Sequence, residues 1–291
     1  MIESYHSTPF WIFADPISSL THFTGLGLAL VGTFFMIRRG HGNGGRIFAL
    51  SLYSFCMIFM FSMSAVFHLI DTEYTARLVM QRLDHAGIWT MIAGTFTPIH
   101  WILFRARWRW LFLISLWAIA ITGLVLKTVY FYDIPEWLGL SFYLGLGWLG
   151  VISFIKIHQI YGKENSKFLL LGGLAYTVGA LSENLRWPFL IEGVFGPHEI
   201  FHICVLLGAY FHWKFIFEWS DYPVNNHMRF LVRERPNSIF IAEAIGEKIK
   251  LHAHDKNRIK EMILETVKNK FHHRSPAHSV KVEYLQEEYL Q

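Results

Sequence analysis

The sequence predicts an all-α fold, a bundle of seven transmembrane helices with a short soluble C-terminal tail. Three observations carry this. First, 53% of the 291 residues are hydrophobic and only 16% are charged, whereas a soluble domain carries roughly 25% charged residues. Second, the charge is unevenly spread. The last 72 residues, from Ser220 on, hold 12 of the 26 Lys and Arg and 10 of the 22 acids. Third, seven apolar runs reach the length of about 20 residues that a helix needs to cross a bilayer core about 30 Å thick. The division that follows is an N-terminal segment (1–16), a membrane domain (17–219) and a tail (220–291).

The runs, in order, are Ile17–Ile37, Ile47–Ile70, Leu83–Phe104, Trp108–Leu126, Trp137–Ile157, Phe168–Leu185 and His198–Phe217. No basic region precedes the first, so a cleavable signal peptide is not expected. Gly- and Arg-rich residues 38–46, the Asp133-Ile134-Pro135-Glu136 turn and the Gly193–Pro197 stretch separate runs. Trp101, Trp108, Trp110, Trp137, Trp187, Trp213 and Trp219 lie at run ends, where interfacial aromatics belong. Gly25, Gly27, Gly145, Gly147, Gly172 and Gly173 suit close helix packing in lipid. Cys56 and Cys204 fall inside apolar runs and read as packing residues. The net charge of +4 sits in short loops and gives no reason to invoke nucleic acid.

In the tail, Ile259, Met262, Ile263, Val267 and Phe271 recur at helical spacing with Lys and Glu between them, the pattern of an amphipathic helix. Ile239–Ile249 is a second candidate amphipathic helix. These helices can form a small appendage, lie on the membrane surface or make a homodimer contact. Loops one, three and five carry nine Lys and Arg against four in the even loops, and the N-terminus carries none. The positive-inside rule then puts the N-terminus outside and the C-terminus in the cytoplasm.

Ionisable residues at membrane depth are costly and so mark function. Ser64 and His68 are i,i+4 near the end of the second run, on one helix face. Asp84 and His85 open the third run. His198 and His202, again i,i+4, open the seventh, a spacing that lets two imidazoles grip one ion. All three places lie on the even-loop side of the bundle. Three neutral imidazoles suit Zn²⁺ with a fourth position left for water, as in catalytic sites. Asp84 can orient or deprotonate that water, and Ser64 can hydrogen-bond the water or a substrate oxygen. His85 points about 100° from Asp84 around the helix and reads as a packing residue or as a support behind the site. Lone membrane histidines, here His22, His100, His158 and His212, more often bond a backbone carbonyl. Glu183 and Arg186 are i,i+3 and read as a pair; Glu199 reads as solvated. Asp15 and His22 lie at the level of the histidine set and can support it from behind.

These residues resemble those of the hemolysin III and progestin/adipoQ receptor (PAQR) superfamily, which includes the adiponectin receptors and is related to alkaline ceramidases. The likeness covers residues 14–219. Its S-x-x-x-H matches Ser64 and His68, its helix-three aspartate matches Asp84 in Leu-Asp-His-Ala-Gly-Ile, and its H-x-x-x-H matches His198 and His202. The family's E-x-x-N-x-x-x-H reads here as Asp15 to His22, with Ser18 where Asn is usual. The resemblance implies zinc held by His68, His198 and His202, a polarised water beside Asp84 and Ser64, and hydrolysis of ceramide-like lipid amides. Adiponectin receptors and hemolysin III proteins have the zinc face in the cytosol, opposite to the charge count; alkaline ceramidases have an outward N-terminus. The expected function is therefore a zinc-dependent membrane hydrolase with a lipid substrate. A zinc-containing receptor or sensor signalling through the tail ranks second. A pore or transporter ranks third, since no row of transmembrane charges lines a conduit.

Overall fold

A computed structural model describes residues 14–71, 74–191, 194–222, 227–235, 239–245, 249–271 and 279–285. Most of the N-terminal segment 1–16 lies outside the described residues. Seven helices come first: α1 (Pro16–Gly40), α2 (Gly44–Leu69), α3 (Thr75–Leu103), α4 (Ala106–Val129), α5 (Glu136–Trp148), α6 (Gly150–Leu185) and α7 (Pro197–Trp219). Among the described residues five stretches are long and apolar enough to cross a membrane: α1, α2, Arg107–Val129, the continuous Glu136–Leu185, and α7. Large apolar side chains such as Leu28, Phe34, Leu111 and Ile114 stand uncovered on the outside. So extensive an exposed apolar surface requires lipid around it, and the protein is a multi-pass integral membrane protein.

Two features explain why five stretches stand where seven runs were expected. The fifth run is α5 plus the start of α6, and the sixth is the rest of α6. Between them Gly162 has φ 81 and ψ 175, a backbone conformation that glycine adopts without a Cβ clash, and there the helix breaks. α3 is the other. It packs against α2, α4, α5 and α7, so its interior can hold Thr95, Thr97, Pro98 and His100, all buried. A helix enclosed by helices needs no lipid-compatible surface. Its approach to α2 depends on glycine: a Cβ on Gly94 would stand 2.7 Å from Cys56 Cβ, and one on Gly87 3.0 Å from Met60 Cα. Of the glycines singled out by sequence, Gly25 and Gly172 make such contacts. Gly27, Gly145, Gly147 and Gly173 have nothing within 4 Å of a built Cβ.

The tail corrects the all-α reading. Strands β1 (His227–Arg235), β2 (Ile239–Ala244), β3 (Lys250–Ala253) and β4 (Ser279–Leu285) form a sheet of order β3-β2-β1-β4. β2 is antiparallel to β1 and β3, and β4 is parallel to β1. The expected helix at Ile259–Phe271 exists as α8 (Lys256–Phe271), and it packs on β2 and β3. Ile259, Ile263 and Val267 share the core with Phe230, Val232 and Ala242. Where a helix was expected over Ile239–Ile249, residues Ile239–Ala244 form strand β2. Its Ala and Glu content favours helix, but alternate residues Ala242 and Ala244 are buried while Glu243 is exposed, and pairing on both sides overrides propensity. Residues 220–222 belong with the bundle, because Arg46 Nη1 donates to the Tyr222 carbonyl at 2.9 Å and both side chains are buried.

Candidate metal centre

Backbone contacts bring the relevant helix ends together. Asp15 N donates to the His68 carbonyl at 2.9 Å, and Ser19 Oγ to Ala65 O at 2.9 Å, so the start of α1 lies along the end of α2. The last carbonyls of a helix lack intrahelical partners. For α2 they are met by Arg77 of α3, whose Nη1 donates to Phe67 O at 3.2 Å and to Ile70 O. The start of α7 is set by Pro197 and by Glu199, whose Oε2 accepts from Gly196 N at 2.8 Å. Ser18 Oγ donates to Glu199 Oε1 at 3.3 Å, tying α7 to α1.

This arrangement places three histidines together. His198 Nε2 is 3.3 Å from His68 Nε2 and 3.1 Å from His202 Nε2, and one ligand nitrogen from each lies within 4.8 Å of the others. A tetrahedral ion bound by imidazoles at about 2.0–2.1 Å holds its ligands about 3.3 Å apart. The donor set and the spacing therefore fit one metal ion. His68 and His202 are buried, and His198 is more open. In two of the three the other ring nitrogen faces an acid: His68 Nδ1 is 3.0 Å from Asp15 Oδ2, and His198 Nδ1 is 3.3 Å from Glu183 Oε2. Asp15 also accepts from Arg77 Nη2 at 2.9 Å. Burial pushes its carboxyl up, but hydrogen bonds and charge from His68 and Arg77 outweigh this and hold it well below the usual carboxylate range.

The three histidines open onto a cavity of about 1070 Å³ that runs into the bundle as far as His212. Ser64 and Asp84 line it, as do Met60, Met91, Phe96, Leu140 and Phe154. Asp84 takes no hydrogen bond from any described residue.

The haemolysin-III related family matches the chain over residues 10–213. The chain belongs to this family. Among its relatives is Hemolysin-3 of Bacillus cereus, 28% identical over 66% of this chain and 85% of that protein. The heptahelical transmembrane protein ADIPOR3 of Oryza sativa is 31% identical over 61% of this chain and 46% of its own length. An adiponectin receptor protein of Drosophila melanogaster is 29% identical over 50% of this chain and 36% of its own. The haemolysin III and PAQR resemblance read from the motifs thus holds.

In this haemolysin-III relative the remaining polar residues sort by partner. His85 Nδ1 lies 2.9 Å from Gln81 O and its ring meets Phe131 edge-on, a packing role. His212 Nε2 lies 3.2 Å from the Leu169 carbonyl, as expected of a lone membrane histidine. His100 and His158 instead meet hydroxyls, Ser153 Oγ at 2.8 Å and Ser166 Oγ at 3.0 Å. His22 departs further: it stacks on His202 with ring centroids 3.9 Å apart, and neither ring nitrogen has a partner among the described residues. Glu183 does pair with Arg186, at 3.1 Å, but its second oxygen reaches His198. Arg77 counted in the sequence only towards orientation. The one sequence signal for both is their level, at the same end of the bundle as the histidines.

Proposed function

We propose that the protein is a zinc-dependent membrane hydrolase that cleaves a lipid amide. One observation carries this: three imidazole nitrogens converge in the wall of a large, mainly apolar cavity that a carboxylate, Asp84, and a hydroxyl, Ser64, also line. His68, His198 and His202 would hold the ion. Zinc in such a site supplies Lewis acidity, bringing the pKa of a water towards 7 and polarising a carbonyl.

The chain's own residues do the rest. Met60, Met91, Phe96 and Leu140 hold the acyl chain by burying its apolar surface. Asp84 accepts the proton of the attacking water and returns it to the amide nitrogen as the C–N bond breaks. Ser64, one turn before His68 on α2, donates to the carbonyl oxygen as negative charge develops there. The products are a fatty acid and an amine. Seven spans follow if α3, the stretch from α5 to Gly162, and the rest of α6 each cross the membrane, and the excess of Lys and Arg in the odd loops puts the N-terminus outside.

The test is turnover of a broad panel of lipid amides by purified protein, beside His202→Ala and Asp84→Ala. Fatty acid release by the wild type and its loss in both variants is the expected result. A wild type that holds zinc yet releases no fatty acid from any substrate rejects the hydrolase. The folded tail, together with the name of the Drosophila relative, favours receptor signalling as the second reading. In that case removal of the tail abolishes the signal, whereas core catalysis is indifferent to it.

A further inference from the structure

Two of the three histidines are held from behind by the same kind of relay, one on each side of the site. On one side Arg77 Nη2 reaches Asp15 Oδ2 at 2.9 Å, and the same oxygen reaches His68 Nδ1 at 3.0 Å. On the other side Arg186 Nη1 reaches Glu183 Oε1 at 3.1 Å, and Glu183 Oε2 reaches His198 Nδ1 at 3.3 Å. An imidazole whose Nδ1–H donates to a carboxylate has its Nε2 lone pair free and its ring plane fixed, and its basicity as a ligand is raised. The two Nε2 atoms so presented are the pair 3.3 Å apart.

We infer that Glu183 at the end of α6, steadied by Arg186, is a positioning residue for the metal ligand His198. This rests on the zinc reading above but not on any reaction. His198 has particular need of it. Its side chain is 40% exposed, while that of His68 is only 4% exposed, so packing alone orients His198 least. Glu183, 21% exposed, is sheltered enough for its hydrogen bond to hold the ring. Arg186 also reaches Glu136 Oε2 at 2.7 Å, but that arm is solvent-exposed, 85% on the Glu136 side. Exposed pairs of this kind contribute little, so the Glu183–His198 contact carries the effect and Glu136 does not.

The experiment is zinc affinity by chelator competition on the full chain in detergent or nanodiscs, for wild type, Glu183→Gln, Glu183→Asp and Glu136→Gln. Glu183→Gln is expected to weaken zinc about 10–100-fold, the usual cost of losing such a carboxylate. Glu183→Asp should recover part of the loss, and Glu136→Gln should match wild type. Co²⁺ in place of zinc should show altered visible bands in Glu183→Gln, reporting a reoriented ligand. Thermal unfolding of the metal-free proteins separates positioning from general stability, since Glu183→Gln should melt with wild type when no metal is present. Wild-type zinc affinity in Glu183→Gln overturns the inference. So does an equal drop in melting temperature with and without metal. If the wild type itself binds no zinc, the metal reading falls and takes this inference with it. If zinc binds and responds to Glu183 but no amide is cleaved, only the hydrolase falls.

Discussion

The two ends of the helical bundle both bury ionisable groups, and they treat them in opposite ways. At the odd-loop end Arg46 is almost fully buried, and its guanidinium is spent on backbone carbonyls: Gly40 at 2.8 Å, Tyr222 at 2.9 Å and His41 at 3.2 Å. Arg105 and Arg109 likewise donate to the carbonyls of Ile102 and Phe104. His100 sits between stacked Phe104 and Phe112 and bonds Ser153. At the even-loop end the imidazoles turn towards one another and the acids stand behind them, with Asp84 facing the cavity. A buried charge that closes on helix-end carbonyls is structural. One that converges on other titratable groups, beside a carboxylate that lines a cavity, marks a candidate site.

Four measurements can break or sharpen that contrast. The largest effect is expected from His202→Ala, which removes a ligand: metal analysis should find the single zinc per chain lost and amide cleavage abolished. Asp84→Asn comes next, cutting amide turnover by about 10²–10⁴, the typical contribution of a proton-transfer group, with zinc content unchanged. Loss of zinc from this variant would make Asp84 part of the holding set rather than the chemistry. At the opposite end, Arg46→Ala leaves three carbonyls without their donor and should cost roughly 3 kcal/mol or more. It should be read by thermal unfolding and leave the zinc affinity of the folded fraction intact; weakened zinc there would show that the two ends are not independent. The smallest effect is expected from deleting the residues after Tyr222, where zinc content and amide cleavage should both persist. Cutting at Ser220 instead removes the Tyr222 carbonyl that Arg46 holds, so that shorter chain should melt earlier.

Much of the site was legible because its carriers are strictly local. Ser64 with His68, and His198 with His202, are each one helical turn apart, and counting helix ends brings both pairs and Asp84 to the same side. The supporting groups were less legible. Glu183 looked complete with Arg186 three residues on, and nothing in the chain says that its second oxygen points at His198. Arg77 looked like a loop charge because the carbonyls it caps belong to another helix. His22 was expected either to meet a carbonyl or to support the histidine set from behind, and α1 lies close enough to α7 for its ring to stack on His202. The tail was misread for a different reason: a six-residue strand, Ile-Phe-Ile-Ala-Glu-Ala, is too short to show a clear period of two, and only its neighbours in the sheet decide it.

By itself the sequence determined how many apolar runs there are, where they end, and which chemical groups stand at each end. Hydrophobic length and helical periodicity are properties of consecutive residues, so they need no tertiary information. Only the tertiary structure decided which imidazole nitrogens converge and which face a carboxylate, that α3 is enclosed while α1 and α4 present apolar faces outward, and that strands β1 to β4 of the tail form a sheet. Those outcomes depend on close contacts between segments far apart in the chain, such as the 3.3 Å between His68 and His198, 130 residues apart. Such distances are set by how the helix ends pack on one another.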